Sequence, residues 1–129
     1  SLAQQLNLAG AVIVSTPQDI ALLDVVKALT MFQKANVPVL GMIENMSYWC
    51  CPDCGRIDHI FGEGGVKAEA KKRGIEMLGE IPISSQVRKS SDSGIPIIIS
   101  EPKSVQSKNY RNIAKAIIKS VKIDEEELV

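Results

Sequence analysis

The sequence predicts an α/β protein in which a parallel sheet is flanked by helices. Three observations carry that expectation. Short β-branched apolar runs alternate with segments of helical periodicity along the chain. The stretches between the runs are long enough for right-handed crossovers. Aromatic residues make up only 4% of a chain that is 45% hydrophobic, so the core has to be built from Ile, Val, Leu and Ala. At 129 residues the chain has the size of one domain. The expected division is a single α/β domain over residues 1–123 and an acidic, solvated tail over 124–129.

The elements follow in order. Residues 9–15 are apolar and β-branched, as suits a strand buried on both faces. Thr16 then offers an N-cap with Pro17 at the first helical position, and Asp19 suits the positive end of the helix dipole. Leu22, Val25, Val26, Leu29 and Phe32 recur at helical spacing, and Asn36 is the expected stop. Residues 37–43 read as the second strand, with Pro38 at its start, where no ladder hydrogen bond is lost, and Glu44 and Asn45 at its end. Periodicity then disappears over residues 46–65. Residues 66–73 form a short helix closed by Gly74, and residues 75–81 the third strand, ended by Pro82. Ser84 or Ser85 caps a short helix that stops near Gly94. Ser104 caps the last helix, whose apolar stripe is Val105, Tyr110, Ile113, Ala114, Ile117, Ile118 and Val121.

Fifteen basic and fifteen acidic residues cancel, and no Lys/Arg cluster follows a phosphate backbone, so nucleic acid is not an expected partner. The apolar runs fall far short of the ~20 residues that span a bilayer. No signal peptide is visible, and three cysteines make a poor disulfide framework, so a reducing compartment is expected and secretion is not.

The chemistry concentrates in the 46–65 loop, since long loops in compact domains are commonly functional. Cys51-Pro52-Asp53-Cys54-Gly55 is a CxxC turn, with Cys50 beside it. Two intervening residues let the chain turn with both sulfurs on one side. A thioredoxin-type dithiol would open a helix directly after a strand, whereas Gly55 follows here. Soft metals bound by thiolates take four ligands, and the chain has three cysteines and one histidine. A second copy of the loop is the simplest completion, serving equally a 4Fe-4S cluster or a four-cysteine zinc site. His59 is expected to be a surface or packing residue, and Cys50 a small buried hydrophobe.

Glu44-Asn45-Met46-Ser47-Tyr48, the Cys51–Cys54 turn and Ile60-Phe61-Gly62-Glu63-Gly64-Gly65 together resemble the cluster-binding segment of the Mrp/ApbC family. The runs Gly10–Leu22, Leu78–Ile83 and Ser91–Pro96 resemble the same family, so that the likeness covers roughly residues 7–118. The resemblance implies the C-terminal part of a SIMIBI-type P-loop NTPase, related to MinD and the nitrogenase iron protein. It further implies a homodimer, or a heterodimer with a related ATPase, that holds a labile 4Fe-4S cluster between protomers and passes it to apo-proteins. Cys51 and Cys54 would be the cluster ligands. Asn45 would meet the adenine of ATP, with Pro82 and Ile83 lining the base. The cytoplasm or the mitochondrial matrix is the implied compartment. A zinc-stabilised dimerisation module using the same CxxC is the alternative. The family's Walker A loop and Asp-x-Pro-Pro-Gly-Thr segment do not occur in these 129 residues, so this chain is expected to hydrolyse no ATP by itself. Residues 62–68 are rich in glycine but lack Gly-Lys-Ser/Thr and are not expected to cradle a phosphate.

Overall fold

The computed structural model describes residues 5–121. The acidic tail expected over 124–129 lies outside the described residues. Three parallel strands, β1 (Ala11–Ser15), β2 (Val39–Asn45) and β5 (Met77–Ile81), form a sheet in the order β1-β2-β5. Between β2 and β5 lie a two-stranded hairpin, β3 (Trp49–Cys50) and β4 (Ile57–Asp58), and then helix α2 (Gly65–Arg73). Helix α1 (Asp19–Lys34) links β1 to β2, while α3 (Ser85–Ser93), α4 (Ile97–Ser100) and α5 (Val105–Val121) follow β5.

The alternation of side chains along the strands divides the core in two. Ile13 and Met42 point to the face covered by α1 and α2, where they pack with Val25, Val66 and Ala70. Ile43, Leu78 and Ile81 join Ile113 of α5 on the opposite face. The helix α5 lies over β5 and β2 and leaves the outer strand less covered. Val14, an apolar residue of β1, is 56% exposed.

Glycine and serine set most of the helix ends as the sequence predicts. Gly74 and Gly94 are left-handed C-caps. Val87 N–H donates to Ser84 Oγ at 3.4 Å, and Ser107 N–H to Ser104 Oγ at 3.1 Å. Asn36 stops α1 with φ at 57°.

Other expectations are corrected. Thr16 does not cap α1, which begins at Asp19 after Gln18; the Thr16 hydroxyl donates instead to Gln18 Oε1 at 3.3 Å. Pro17 lies outside the helix and is buried, with its carbonyl against the start of α2, where a Cβ on Gly65 would come within 2.7 Å of it. Packing against α2 thus fixes Pro17 in place of the helix start. The strand β2 begins at Val39, past Pro38, whose carbonyl accepts from Ala11 N–H at 2.8 Å. On α5 the stripe is narrower than its apolar residues suggest. Ser107, Tyr110, Ile113, Ala116 and Ile117 face inward, whereas Val105, Ala114 and Ile118 are exposed. The apolar run at 97–99, to which the sequence assigned no element, forms the short helix α4 and buries Ile97 alone.

Candidate functional site

Two structures stand at the C-terminal ends of the strands, where open α/β sheets hold their ligands. They are the cysteine hairpin and a cleft at its root. Strand alternation assigns the last two residues of β2 to opposite sides. Glu44 turns toward α2 and Asn45 toward the α5 side.

Glu44 is 1% exposed. Its Oε2 accepts from Val66 N–H at 3.1 Å, in the first turn of α2, and its Oε1 accepts from Ser47 Oγ at 2.7 Å. A carboxylate at a helix N-terminus meets unpaired N–H groups and the positive end of the dipole. One side chain therefore ties the entry of the 46–65 loop to its exit. It also occupies the start of the helix after Gly62–Gly65, so that a protein carboxylate stands where a phosphate cradle would have its anion.

From Asn45 the chain turns sharply through Met46, which takes φ of 52°. Ser47 N–H donates to Ile81 O at 3.0 Å, and Ile83 N–H donates to Tyr48 O at 2.7 Å. These bonds hold the root of the hairpin against the end of β5. Trp49 then pairs with Asp58, and Cys50 with Ile57.

The tip is a tight turn over residues 51–56. Cys51 N–H donates to Arg56 O at 2.8 Å and Gly55 N–H to Cys51 O at 2.9 Å. Gly55 adopts φ of 75°, a left-handed conformation that glycine takes without steric cost, and a Cβ there would meet nothing within 4 Å. The backbone N–H groups of Cys54 and Asp53, and then the Cys54 side chain, point at the Cys51 sulfur and hold its pKa below the ordinary thiol value. Cys54 is exposed and Cys51 partly so. The turn accordingly presents two sulfurs toward solvent, one of them with its pKa lowered by backbone donors. Among the described residues no group of three or more His, Cys, Asp or Glu converges on a common point.

Cys50 is exposed, contrary to the buried role its type suggests, because the two-residue strand that carries it has no layer packed over that face. Its Sγ lies 3.7 Å from Gly55 O. His59 is a packing residue: its ring centroid is 6.3 Å from that of Tyr48, and its Nε2 is 3.6 Å from Glu63 Oε1. Asp19 stays in the first turn of α1 and is exposed.

On the α5 side a cleft of about 650 Å³ is lined by Asn45, Pro82 and Ile83 together with Trp49, Val87 and Tyr110. The three residues predicted from the sequence to meet a base thus share one cavity, which Cys51 and Cys54 do not line. Sequence reasoning missed Glu44, Ser47 and Trp49 as parts of the site. The available signal for Glu44 was an acid at the end of an otherwise apolar strand. For Trp49 it was the position of the single tryptophan two residues before the CxxC.

No helix among the described residues is long and apolar enough to cross a membrane. A family model described as ParA: NUBPL iron-transfer P-loop NTPase matches residues 1–118. The iron-sulfur cluster transfer protein NUBPL of Dictyostelium discoideum is 54% identical over 123 residues, which are 95% of this chain and 38% of that protein. A nucleotide-binding protein from Archaeoglobus fulgidus, solved in complex with ADP, is 45% identical with a TM-score of 0.63, over 74% of this chain and 38% of the other. The cell division ATPase MinD of Pyrococcus furiosus has a TM-score of 0.68 at 24% identity, over 86% of this chain and 43% of the other, a likeness of fold alone. The chain spans less than half the length of each of these proteins. With the family model covering most of its length, the chain belongs to the NUBPL iron-transfer family of ParA-type P-loop NTPases.

Proposed function

We propose that this chain is the cluster-holding, base-binding part of an iron-sulfur carrier, in which Cys51 and Cys54 supply half the ligands of a 4Fe-4S cluster. The observation that carries the reading is the turn at 51–56. It holds two sulfurs at an exposed tip, directs backbone N–H groups at one of them, and brings no third ligand from the described residues. Four-thiolate ligation then needs a second hairpin, from another copy or from a related ATPase, across a two-fold axis. Cluster binding and dimer formation are linked, each strengthening the other. The cluster is cargo: held at a solvent-exposed junction, it passes to apo iron-sulfur proteins.

The cleft at the hairpin root takes the adenine of ATP. Asn45 presents the amide donor and acceptor that an adenine edge requires, while Pro82 and Ile83 supply an apolar wall. The Mg-phosphate chemistry belongs to a P-loop, which these residues do not form, so the chain hydrolyses no ATP alone. The C-terminal part of a longer NTPase, working in the cytoplasm or the mitochondrial matrix, accommodates both features.

Anaerobic reconstitution with iron and sulfide tests the reading. The expected product is brown, holds about one 4Fe-4S cluster per two chains and sediments as a dimer. Cys51→Ala and Cys54→Ala lose both cluster and cluster-linked dimer, whereas Cys50→Ala keeps them. A colourless protein that binds zinc and dimerises overturns the cluster assignment, and one cluster per chain overturns the bridging arrangement.

A further inference from the structure

Trp49 is the only tryptophan of the chain, and it stands in the hairpin strand that leads directly into Cys50 and Cys51. Antiparallel pairing sorts the hairpin's side chains onto two faces, Trp49 with Asp58 on one and Cys50 with Ile57 on the other. The Trp49 face looks back on the body of the protein. Its indole lines the same cleft as Asn45, Pro82 and Ile83, and 37% of the residue remains exposed. A broad, partly exposed apolar ring and the Asn45 amide thus line the same cavity.

Little else holds the hairpin in place. Its strands are two residues long, and the bonds from Ser47 to Ile81 and from Ile83 to Tyr48 secure only its root. An isolated two-stranded hairpin is marginally stable at best, so one added contact along its length changes its order.

We propose that Trp49 stacks on the purine base bound at Asn45, so that one side chain belongs both to the base site and to the element that carries Cys51 and Cys54. The inference rests on the reading of the cleft as a base site. Stacking on an aromatic face tolerates any base, so Trp49 supplies affinity while the Asn45 amide reads the purine's edge. Ordering of the hairpin by a bound base then strengthens whatever the hairpin binds, and the coupling is reciprocal.

The intact chain titrated with adenosine tests this, with Trp49 emission as the reporter. The expected result is a saturable change in emission, together with slower hydrogen exchange of the hairpin amides at 50–57. Trp49→Ala weakens adenosine binding about tenfold and abolishes the slowing, while Trp49→Phe restores most of both. The melting temperature of each variant checks that the fold is intact. If calorimetry shows binding that depends on Asn45 while Trp49 emission and hairpin exchange stay unchanged, the inference is overturned and the base cleft stands. If adenosine gives no heat and no emission change up to millimolar concentration, both are overturned.

Discussion

The parallel sheet and the cysteine hairpin sit side by side but are held in place by different physics. Met42, at the centre of the sheet, is 0% exposed and packed between two helices, so its position follows from burial over many apolar neighbours. Both strands of the hairpin are exposed, and its position follows from a few directed bonds: Glu44 to Ser47 and Val66, Ser47 to Ile81, Ile83 to Tyr48. Stability therefore resides in one region and the chemistry of the sulfurs in the other. Substitutions should separate the two.

The largest effect on stability is expected in the sheet. Met42→Ala leaves a cavity between α1 and α2 and should cost about 2–5 kcal/mol, read from urea unfolding. The alkylation rates of Cys51 and Cys54 in the native protein should not change. A change in those rates at low denaturant would mean that the core tunes the hairpin after all.

A smaller loss of stability with a larger effect on the hairpin is expected from Glu44→Ala. It strands the Val66 N–H and the Ser47 hydroxyl and should cost about 1–3 kcal/mol. Hydrogen exchange over residues 46–65 should accelerate before the sheet amides do. Equal acceleration in both regions would show that Glu44 is simply part of the core.

Gly55→Ala acts on the turn alone. The added methyl meets nothing, so the cost of about 1 kcal/mol comes only from the left-handed backbone. Reconstitution should yield less cluster at unchanged core stability. An unaltered yield would show that the tip tolerates a different backbone.

The smallest effect is electrostatic. The thiol of Cys51, with its pKa held down by the N–H groups of Cys54 and Asp53, should alkylate with a lower midpoint in the folded chain than in urea. Because the folded value is the lower one, the stabilisation from this group is present above the unfolded midpoint and is lost as pH falls through the folded one. A Cys50→Ser variant simplifies the titration, and equal midpoints in native buffer and in urea would remove the backbone donors from the account.

The same contrast explains what could be read from the sequence. Periodic burial is written in residue type, which made the three strands of the parallel sheet, the four longer helices and the caps at Ser84, Gly94 and Ser104 legible. Of the candidate site, the CxxC turn stood out by composition, and the Mrp/ApbC likeness named Asn45, Pro82 and Ile83, which line one cleft. The hairpin was not legible, because strands of two residues are too short for any alternation to register. Thr16 misled because its capping signal competes with the packing of Pro17 on α2, and Cys50 because a residue type that is usually buried has no second layer above it here. The link from Glu44 to Val66 joins residues 22 apart and has no local signature.

That link also makes the cysteine segment a replaceable cartridge. With both ends clasped by one carboxylate and the turn free in solvent, the length between them is only weakly constrained. Doubling a flexible loop adds roughly 0.6 kcal/mol of closure entropy. The cysteine tip can therefore be lengthened, shortened or exchanged for another sequence while the sheet, the clasp and the cleft at the hairpin root keep their places, which makes this position in the fold a natural socket for grafted ligand sets.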